Sequence, residues 1–147
     1  MRVMWDADVV LDVLLDRGAD AAAAVRLMSR VERGELVGYL CDTTVLSLHQ
    51  AAKRVIGAEA AGRELRKVLL LFDITPVNRV VLESALVNKA LDFEDAVLYE
   101  AARHSGAEAL VTRSFPAFKG AKVPVATPEK LLKVLSQKGR AHAEAWS

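Results

Sequence analysis

The chain opens with Met1-Arg2-Val3-Met4-Trp5-Asp6, a short apolar run that ends in a carboxylate. Val3 to Trp5 has the composition of a buried strand, and the apolar residues between Val9 and Leu14 recur at helical spacing. Asp6 is therefore predicted to lie where a strand gives way to a helix. Ligands of open parallel α/β sheets bind just beyond the carboxyl ends of the strands. Asp6 is thus the first candidate for a functional residue.

Size and composition restrict the class of protein. A chain of 147 residues can form one domain with a substantial core but not two ordinary domains. The hydrophobic fraction of 52% and the charged fraction of 27% indicate a folded globular protein. The net charge of +1 gives no bulk attraction for nucleic acid, so such contact requires a local basic face. The single cysteine, Cys41, excludes an intrachain disulfide, fits a reducing cytoplasm and is interpreted as a small buried residue.

No targeting or membrane-spanning segment is evident in the sequence. The opening apolar run is interrupted by acidic residues, whereas the apolar core of a secretory signal is uncharged. The strongest apolar run, Val68 to Phe72, is far shorter than the ~20 residues that a membrane span needs. The sequence therefore predicts a soluble cytoplasmic protein that makes no membrane contact.

Apolar strands alternate with amphipathic helices along the chain. This alternation implies right-handed crossovers and a parallel sheet covered on both faces. We predict a three-layer α/β/α sandwich with a mainly parallel, roughly five-stranded sheet. Residues 1–136 are predicted to form one domain and residues 137–147, which lose the periodicity, a loosely ordered tail. The predicted strands lie at residues 3–5, 36–41, 72–75, 109–112 and 123–126, and the predicted helix caps include Asn78, Asp92 and Thr127.

A second acidic cluster, Asp92-Phe93-Glu94-Asp95, opens a helix far from Asp6 in the sequence. Hard cations such as Mg²⁺ select oxygen ligands and usually keep several of their waters. If the two clusters meet at one sheet edge, Asp6 and Asp95 are the best-placed ligands, with Asp92 as a third candidate. In phosphodiester hydrolysis, a cation held in this way activates a water and stabilises charge on the leaving oxygen.

Each of these acidic residues also has a purely structural interpretation. An Asp at a helix start is more often a cap than a metal ligand, and Asp8 fits either role. Asp12 and Asp16 are interpreted as the solvated face of the first helix, with a bond from Asp12 to a neighbouring backbone group left open, and Glu94 as facing water. The catalytic hypothesis rests on the joint occurrence of the two acidic clusters.

Five stretches of the sequence resemble the PIN domain family, in the family's own order. The resemblance extends over about residues 1 to 135. It implies an α/β/α fold with a parallel sheet and, as in the toxins of VapBC-type toxin–antitoxin pairs, ribonuclease activity that depends on Mg²⁺ or Mn²⁺. The five stretches are Trp5–Leu15, Gly38–Leu40, Leu91–Ala96, Val111–Arg113 and Val125–Glu129.

The resemblance also assigns roles and partners. It makes Asp6 the first metal carboxylate and Asp95 the third, with Asp92 assisting. It implies RNA as the substrate class, a homodimer and, for a toxin-like member, a separate antitoxin protein. The small-residue helices around residues 21–28 and 45–52 are candidates for the dimer interface and equally for the core.

The sequence departs from the family at several acidic positions. Ser47 stands where the family usually has a Glu, and Ser114 and Ala117 stand at its acidic positions after the fourth strand. At least two of four expected carboxylates are missing, and each loss removes a charge attraction in a partly desolvated site. We therefore expect weakened metal affinity. Asp42 is a candidate substitute for the Glu, although a helix cap is its more usual role.

Basic residues recur on the predicted helices. They would attract phosphate backbones if they lay beside the acidic pocket, and a mixed-charge solvated surface is an equally good interpretation. His49 is a candidate for the pocket rim, with a packed or exposed position as the alternative. The basic residues are Arg17, Arg26, Arg30, Arg33, Lys53, Arg54, Arg63, Arg66 and Lys67.

Two functional hypotheses follow from the sequence. In the first, the protein is a Mg²⁺- or Mn²⁺-dependent ribonuclease with a sparse site around Asp6 and Asp95. In the second, it is a PIN-fold protein without catalysis that binds RNA or a protein partner. Retention of the aspartates favours the first hypothesis, and the uncharged Ser47, Ser114 and Ala117 favour the second.

Overall fold

The computed structural model describes residues 1–113, 120–137 and 145–146, with the backbone alone at residues 19 and 20. Ser114 and Ala117, two of the departures from the family pattern, lie outside the described residues, as does most of the predicted tail. Of that tail, Trp146 packs against the hydrophobic core.

A single parallel sheet forms the centre of the described structure. Its five strands are β1 (Arg2–Trp5), β2 (Val37–Cys41), β3 (Phe72–Thr75), β4 (Ala109–Val111) and β5 (Val125–Ala126). Their order across the sheet is β3-β2-β1-β4-β5, and every neighbouring pair runs parallel. The strand that carries Asp6 at its carboxyl end therefore lies in the middle of the sheet.

Helices cover both faces of this sheet, which confirms the predicted three-layer α/β/α sandwich. Within the described residues there are seven α-helices and one short 3-10 helix, Gly18–Ala21. The α-helices are α1 (Ala7–Leu14), α2 (Ala22–Glu32), α3 (Asp42–Ile56), α4 (Ala58–Leu71), α5 (Arg79–Val87), α6 (Phe93–Ser105) and α7 (Pro128–Ser136).

Alternating side chains of the strands build two cores, one on each face. Val3 and Trp5 of β1 pack with residues of α1, α2, α3, α4 and α7, whereas Met4 packs with residues of α5 and α6. This alternation follows from the two-residue period of a strand. Trp5 also meets the ring of Phe72 edge to face, with the ring centroids 5.3 Å apart.

Gly38 of β2 leaves room for that aromatic pair. A Cβ atom on residue 38 would lie 2.6 Å from two ring carbons of Phe72, closer than any normal contact. Glycine is required here because the Phe72 ring lies directly across the backbone of the neighbouring strand.

The helix boundaries follow local polar signals. The Asn78 side chain accepts a hydrogen bond from the Val81 N–H at 3.1 Å, and Thr127 Oγ1 accepts one from the Lys130 N–H at 3.2 Å. These bonds satisfy backbone donors that the first helical turn leaves free. The predicted caps at Asn78 and Thr127 are confirmed.

The two helices that were candidates for a dimer interface supply core residues within the chain. Leu27 and Met28 of α2 are buried, as are Leu48 and Ala52 of α3. Leu46, between the buried positions of α3, is exposed. No helix in the described part of the chain is both long and apolar enough to cross a bilayer.

Candidate functional site

The candidate site lies at the carboxyl edge of the sheet, between β1 and β4. From β1 the chain continues through α1 and α2 to β2 on one side, whereas it reaches β4 on the other side through α5 and α6. The connections thus diverge above this strand pair, which opens the crevice where α/β proteins bind ligands. Asp6 follows β1 and Thr112 follows β4, so both residues lie at this point.

Asp6 is held in place by contacts with β4. Its backbone N–H donates to the carbonyl of Val111 at 3.0 Å. The Thr112 hydroxyl donates to Asp6 Oδ2 at 2.7 Å. Asp6 occupies the N-cap position of α1, where the backbone N–H groups of Ala7 and Asp8 lower its pKa without forming the usual capping bond. Its carboxylate is therefore oriented by a partner remote in sequence.

The electrostatic environment of Asp6 favours its protonated form. Burial raises the pKa of Asp6 above its usual value of 3.8. The hydrogen bond from Thr112 opposes this effect, and the charge of Asp8 adds to it. An ionised Asp6 thus lacks full compensation, a condition that a bound cation would relieve.

Asp95 reaches the same crevice from the first turn of α6. The Asp92 side chain caps this helix by accepting a hydrogen bond from the Asp95 N–H at 3.0 Å. Burial, the charge of Asp92 and the charge of Asp6 all raise the pKa of Asp95. Both residues line the same cavity, so the two remote acidic clusters come together, as the sequence predicted.

Asp6 and Asp95 line one cavity of about 580 Å³. Asp8 and Cys41 also line it, and Ser47 of α3 faces it from the position where the family pattern has a Glu. The Ser47 hydroxyl donates to the backbone carbonyl of Thr43 at 3.3 Å. The cavity therefore combines four acidic side chains, Asp6, Asp8, Asp95 and the exposed Glu94, with an uncharged wall on the α3 side.

The donor set is sparse for a metal site. No group of three or more His, Cys, Asp or Glu side chains able to hold an ion occurs among residues 1–113, 120–137 and 145–146. Mg²⁺ is commonly bound by one or two carboxylates and keeps several waters. Asp6 and Asp95, two mutually repelling carboxylates in a partly desolvated cavity, fit such a hydrated cation and no fully protein-built cage.

Three other predicted candidates, Asp42, Asp92 and His49, do not line the cavity. Asp42 Oδ1 accepts hydrogen bonds from its neighbour Thr43 N at 2.7 Å and from Val77 N at 3.3 Å, so it ties α3 to the segment after β3. Asp92 caps α6 and is not part of the cavity wall. His49 is exposed and does not line the cavity.

The interpretation of Asp12 as a solvated residue is wrong. Its side chain is only 1% exposed and pairs with Arg17 at 3.5 Å and with Arg113 at 3.4 Å. Arg113 also lies 3.8 Å from Asp8, at the rim of the acidic cavity. Asp16 is exposed, as predicted.

Two residues of the site were not predicted to belong to it. Thr112 was assigned to a strand, and its bond to Asp6 depends on the pairing of β1 with β4. Cys41 is buried, as predicted, and forms part of the cavity wall. Burial raises the pKa of the Cys41 thiol to about 11, so this thiol stays protonated at neutral pH.

Solved structures with the same fold include toxins. The chain is similar to VapC20 from Mycobacterium tuberculosis, a Sarcin-Ricin loop cleaving toxin, with 15% identity, a TM-score of 0.60 and coverage of 78% of this chain and 89% of that one. A toxin–antitoxin complex from Klebsiella pneumoniae gives 20% identity, a TM-score of 0.65 and coverage of 86% and 97%. PAE2754 from Pyrobaculum aerophilum gives 22% identity and a TM-score of 0.62, with coverage of 93% of this chain and 91% of that one.

These identities are low enough that the structural matches establish the fold alone. No curated protein matches the sequence. A family model described as a PIN domain matches residues 2–115, which include both acidic clusters and most of the sheet. The chain belongs to the PIN domain family.

Proposed function

We propose that the protein is a Mg²⁺- or Mn²⁺-dependent ribonuclease of the VapC-like toxin type that works with a sparse carboxylate site. The observation that carries this proposal is the convergence of Asp6 and Asp95 on one cavity, where the charge of Asp6 raises the pKa of Asp95. Membership in the PIN domain family supports the same activity.

The residues of the site would have different roles in binding a cation. Asp6 and Asp95 supply the oxygen ligands, and the Thr112 hydroxyl orients Asp6. Asp92 assists by capping α6, which places Asp95, and by adding a negative charge beside it. When bound, the cation activates a water and stabilises charge on the leaving oxygen of the phosphodiester.

The same site predicts weak activity. Ser47 brings a hydroxyl where the family pattern has a carboxylate, so it offers a hydrogen bond and no charge. Each missing charge removes an attraction that is strong in a partly desolvated cavity. We expect loose cation binding and slow cleavage of RNA.

The second candidate function is a PIN-fold binding module without catalysis. The observation that favours it is the lack of any three-membered acidic, His or Cys cluster among the described residues. Such a protein would keep the fold and bind RNA or a protein partner without an occupied cation site.

Calorimetric titration with Mg²⁺ and with Mn²⁺ tests the proposal. The wild-type chain, Asp6→Asn and Asp95→Asn are compared with Asp73→Asn, a matched change of an exposed carboxylate on β3. We expect binding heat in the wild type and in Asp73→Asn, and its loss in the two site variants. RNA cleavage should follow the same pattern.

The opposite results of this titration would support the hypothesis of a binding module without catalysis. Heat that is absent in the wild type, or that persists unchanged in Asp6→Asn, overturns the metal site. RNA binding that remains while cleavage is absent at all cation concentrations then supports the module.

We also propose an antitoxin partner, a homodimer and a cytoplasmic location. One structural neighbour is a toxin–antitoxin complex, which supports the first of these. Exposed apolar residues on three helices support an interface, and they include Leu46 on α3, Leu70 on α4 and Leu86 on α5. Light scattering of the wild type and of Leu70→Lys tests the dimer, because a monomeric wild type would contradict it.

A further inference from the structure

A basic groove runs between α2 and α7, separate from the acidic cavity. We define this α2–α7 groove by its cationic lining of Arg26, Arg30, Lys130 and Lys133. The groove has a volume of about 450 Å³. Glu129 is the one acidic side chain of its described lining. The sequence singled out Arg26 and Arg30 without deciding between a phosphate-binding face and an ordinary solvated surface. The structure adds the two lysines of α7 to the same groove.

The groove begins at the edge of the sheet that carries the acidic cavity. The helix α7 starts directly after β5, so the α7 side of the groove begins near the carboxyl edge. The lining of α7 extends from Glu129 to Ser136. At 1.5 Å per residue this stretch is about 10 Å long. That length accommodates about three nucleotides of a stacked strand at roughly 3.4 Å each.

Arg113 connects the groove to the acidic cavity. It lines a small cavity of about 220 Å³ with Thr127, Pro128 and Glu129, and Glu129 also lines the α2–α7 groove. On its other side, Arg113 lies 3.8 Å from Asp8, which lines the acidic cavity. Glu129 and Arg113 therefore join the groove to the cavity of the two aspartates, and Arg113, which pairs with Asp12 at 3.4 Å, is the cation at this junction.

The positive charge of the groove is only partly balanced. Arg26 and Lys133 are exposed, and neither has an ion pair among the described residues. Arg30 lies 3.7 Å from Glu35, but that carboxylate is bonded more closely to Arg33, at 3.0 Å. Basic side chains whose charge is not balanced by a nearby carboxylate attract the evenly spaced charges of a phosphate backbone.

We propose that the α2–α7 groove binds the phosphate backbone of single-stranded RNA and leads it past Arg113 to the acidic cavity. This inference rests on the proposed function, because it assumes that RNA is the substrate. An acidic peptide is the weaker fit, since peptide docking depends on buried apolar and aromatic anchors. Among the described residues that line the groove, the only apolar side chain is the half-buried Leu132.

The test measures binding of a fluorescent oligouridylate in EDTA, so that neither cations nor cleavage contribute. The double variant Arg26→Ala/Lys133→Ala is compared with Arg66→Ala/Lys67→Ala, an equal loss of charge on exposed residues of α4. We expect the groove variant to bind about tenfold more weakly. Its slope of log affinity against log salt should fall by about 1.4, or roughly 0.7 for each phosphate that the protein no longer neutralises. The α4 variant and the charge-conserving Arg26→Lys/Lys133→Arg should bind as the wild type does.

Three results overturn the inference: equal affinity of the groove variant and the wild type, an equal loss in the α4 variant, or groove-dependent binding of polyglutamate but not of RNA. The cation titration distinguishes failure of the groove proposal from failure of the proposed ribonuclease function. Cation heat that depends on Asp6, together with unaffected RNA binding in the groove variant, removes the groove and leaves the ribonuclease. RNA binding that depends on the groove, together with absent cation heat, removes the metal site and leaves the groove.

Discussion

The Thr112 hydroxyl donates a 2.7 Å hydrogen bond to Asp6 Oδ2, across 106 positions of sequence. This bond links the end of the central strand β1 to the end of its neighbour β4 and stabilises the ionised form of Asp6, opposing the effect of burial. The orientation of the candidate cation ligand therefore depends on the correct pairing of β1 with β4.

Replacing Thr112 with Val should raise the pKa of Asp6 further. The variant loses the only side-chain bond that lowers this pKa and leaves a partly buried carboxylate with less compensation. We expect a loss of about 1–3 kcal/mol in unfolding free energy at neutral pH. Carbon-detected NMR titration and urea unfolding measure the two effects. Thr112→Ser keeps the hydroxyl and serves as the control, and an unchanged Asp6 titration in Thr112→Val would contradict the assignment.

Stability should fall as the pH rises through the titration of Asp95. Its folded pKa is raised above 3.8, so the native state holds the proton more tightly than the unfolded chain does. Stability is then lost as the pH rises from the unfolded value to the folded pKa. We expect Asp95→Asn to unfold at a higher temperature than the wild type at neutral pH, and to lose this advantage near pH 3.

Scanning calorimetry over this pH range checks the prediction, with Asp73→Asn as the matched control. Added Mg²⁺ should raise the unfolding temperature of the wild type and not that of Asp95→Asn. A variant that is less stable than the wild type at every pH would show that Asp95 supports the fold directly.

Asp92 should act as the cap of α6, and its charge should also raise the pKa of Asp95. Asp92→Asn keeps an oxygen able to accept from the Asp95 N–H, whereas Asp92→Ala does not. The Ala variant should lose about 1 kcal/mol of unfolding free energy, and the Asn variant should lose little. Both should lower the pKa of Asp95, because both remove a neighbouring negative charge. Urea unfolding and NMR titration separate the two effects; equal stability of the two variants would remove the capping role.

Local sequence signals sufficed to predict most of the fold. The caps at Asn78 and Thr127 act on donors only three residues away, so they are visible in a short window. The alternation of strands and helices determined the parallel sheet in the same way. The convergence of Asp6 and Asp95 also followed, because Asp6 ends a strand at the carboxyl edge and α6, the helix that leads into the parallel strand β4, begins at that same edge.

Features that depend on remote partners were not predictable from the sequence. Asp12 has the helical spacing of a solvated position, and its burial depends on Arg113 from the segment after β4. Thr112 lies in a stretch that resembles the family, but no local pattern indicates its bond to Asp6, which exists only once β1 lies beside β4. In both cases a polar residue takes its function from a partner that no local pattern identifies.

Gly38 should be the glycine most sensitive to an added methyl group. A Cβ atom there would lie 2.6 Å from the ring of Phe72, so the ring or the strand must move. We expect Gly38→Ala to lose about 1–3 kcal/mol of unfolding free energy. Gly62→Ala is the matched control, since a Cβ atom at that position of α4 meets nothing within 4 Å. It should gain about 0.5–1 kcal/mol, and a Gly38→Ala variant as stable as the wild type would contradict the packing argument.

Asp12 and Arg113 should behave as a coupled pair. The Asp12 carboxylate is 1% exposed, and Arg113 is one of its two cationic partners. Removing Arg113 as Arg113→Met leaves that buried carboxylate with Arg17 alone, at an expected loss of about 1–3 kcal/mol of unfolding free energy. The double variant Asp12→Asn/Arg113→Met removes both charges, so its loss should be smaller than the sum of the two single losses. A urea-unfolding cycle measures the difference. Strictly additive losses would mean that Arg113 is held by other contacts, and the link between the α2–α7 groove and the acidic cavity would then lack its anchor.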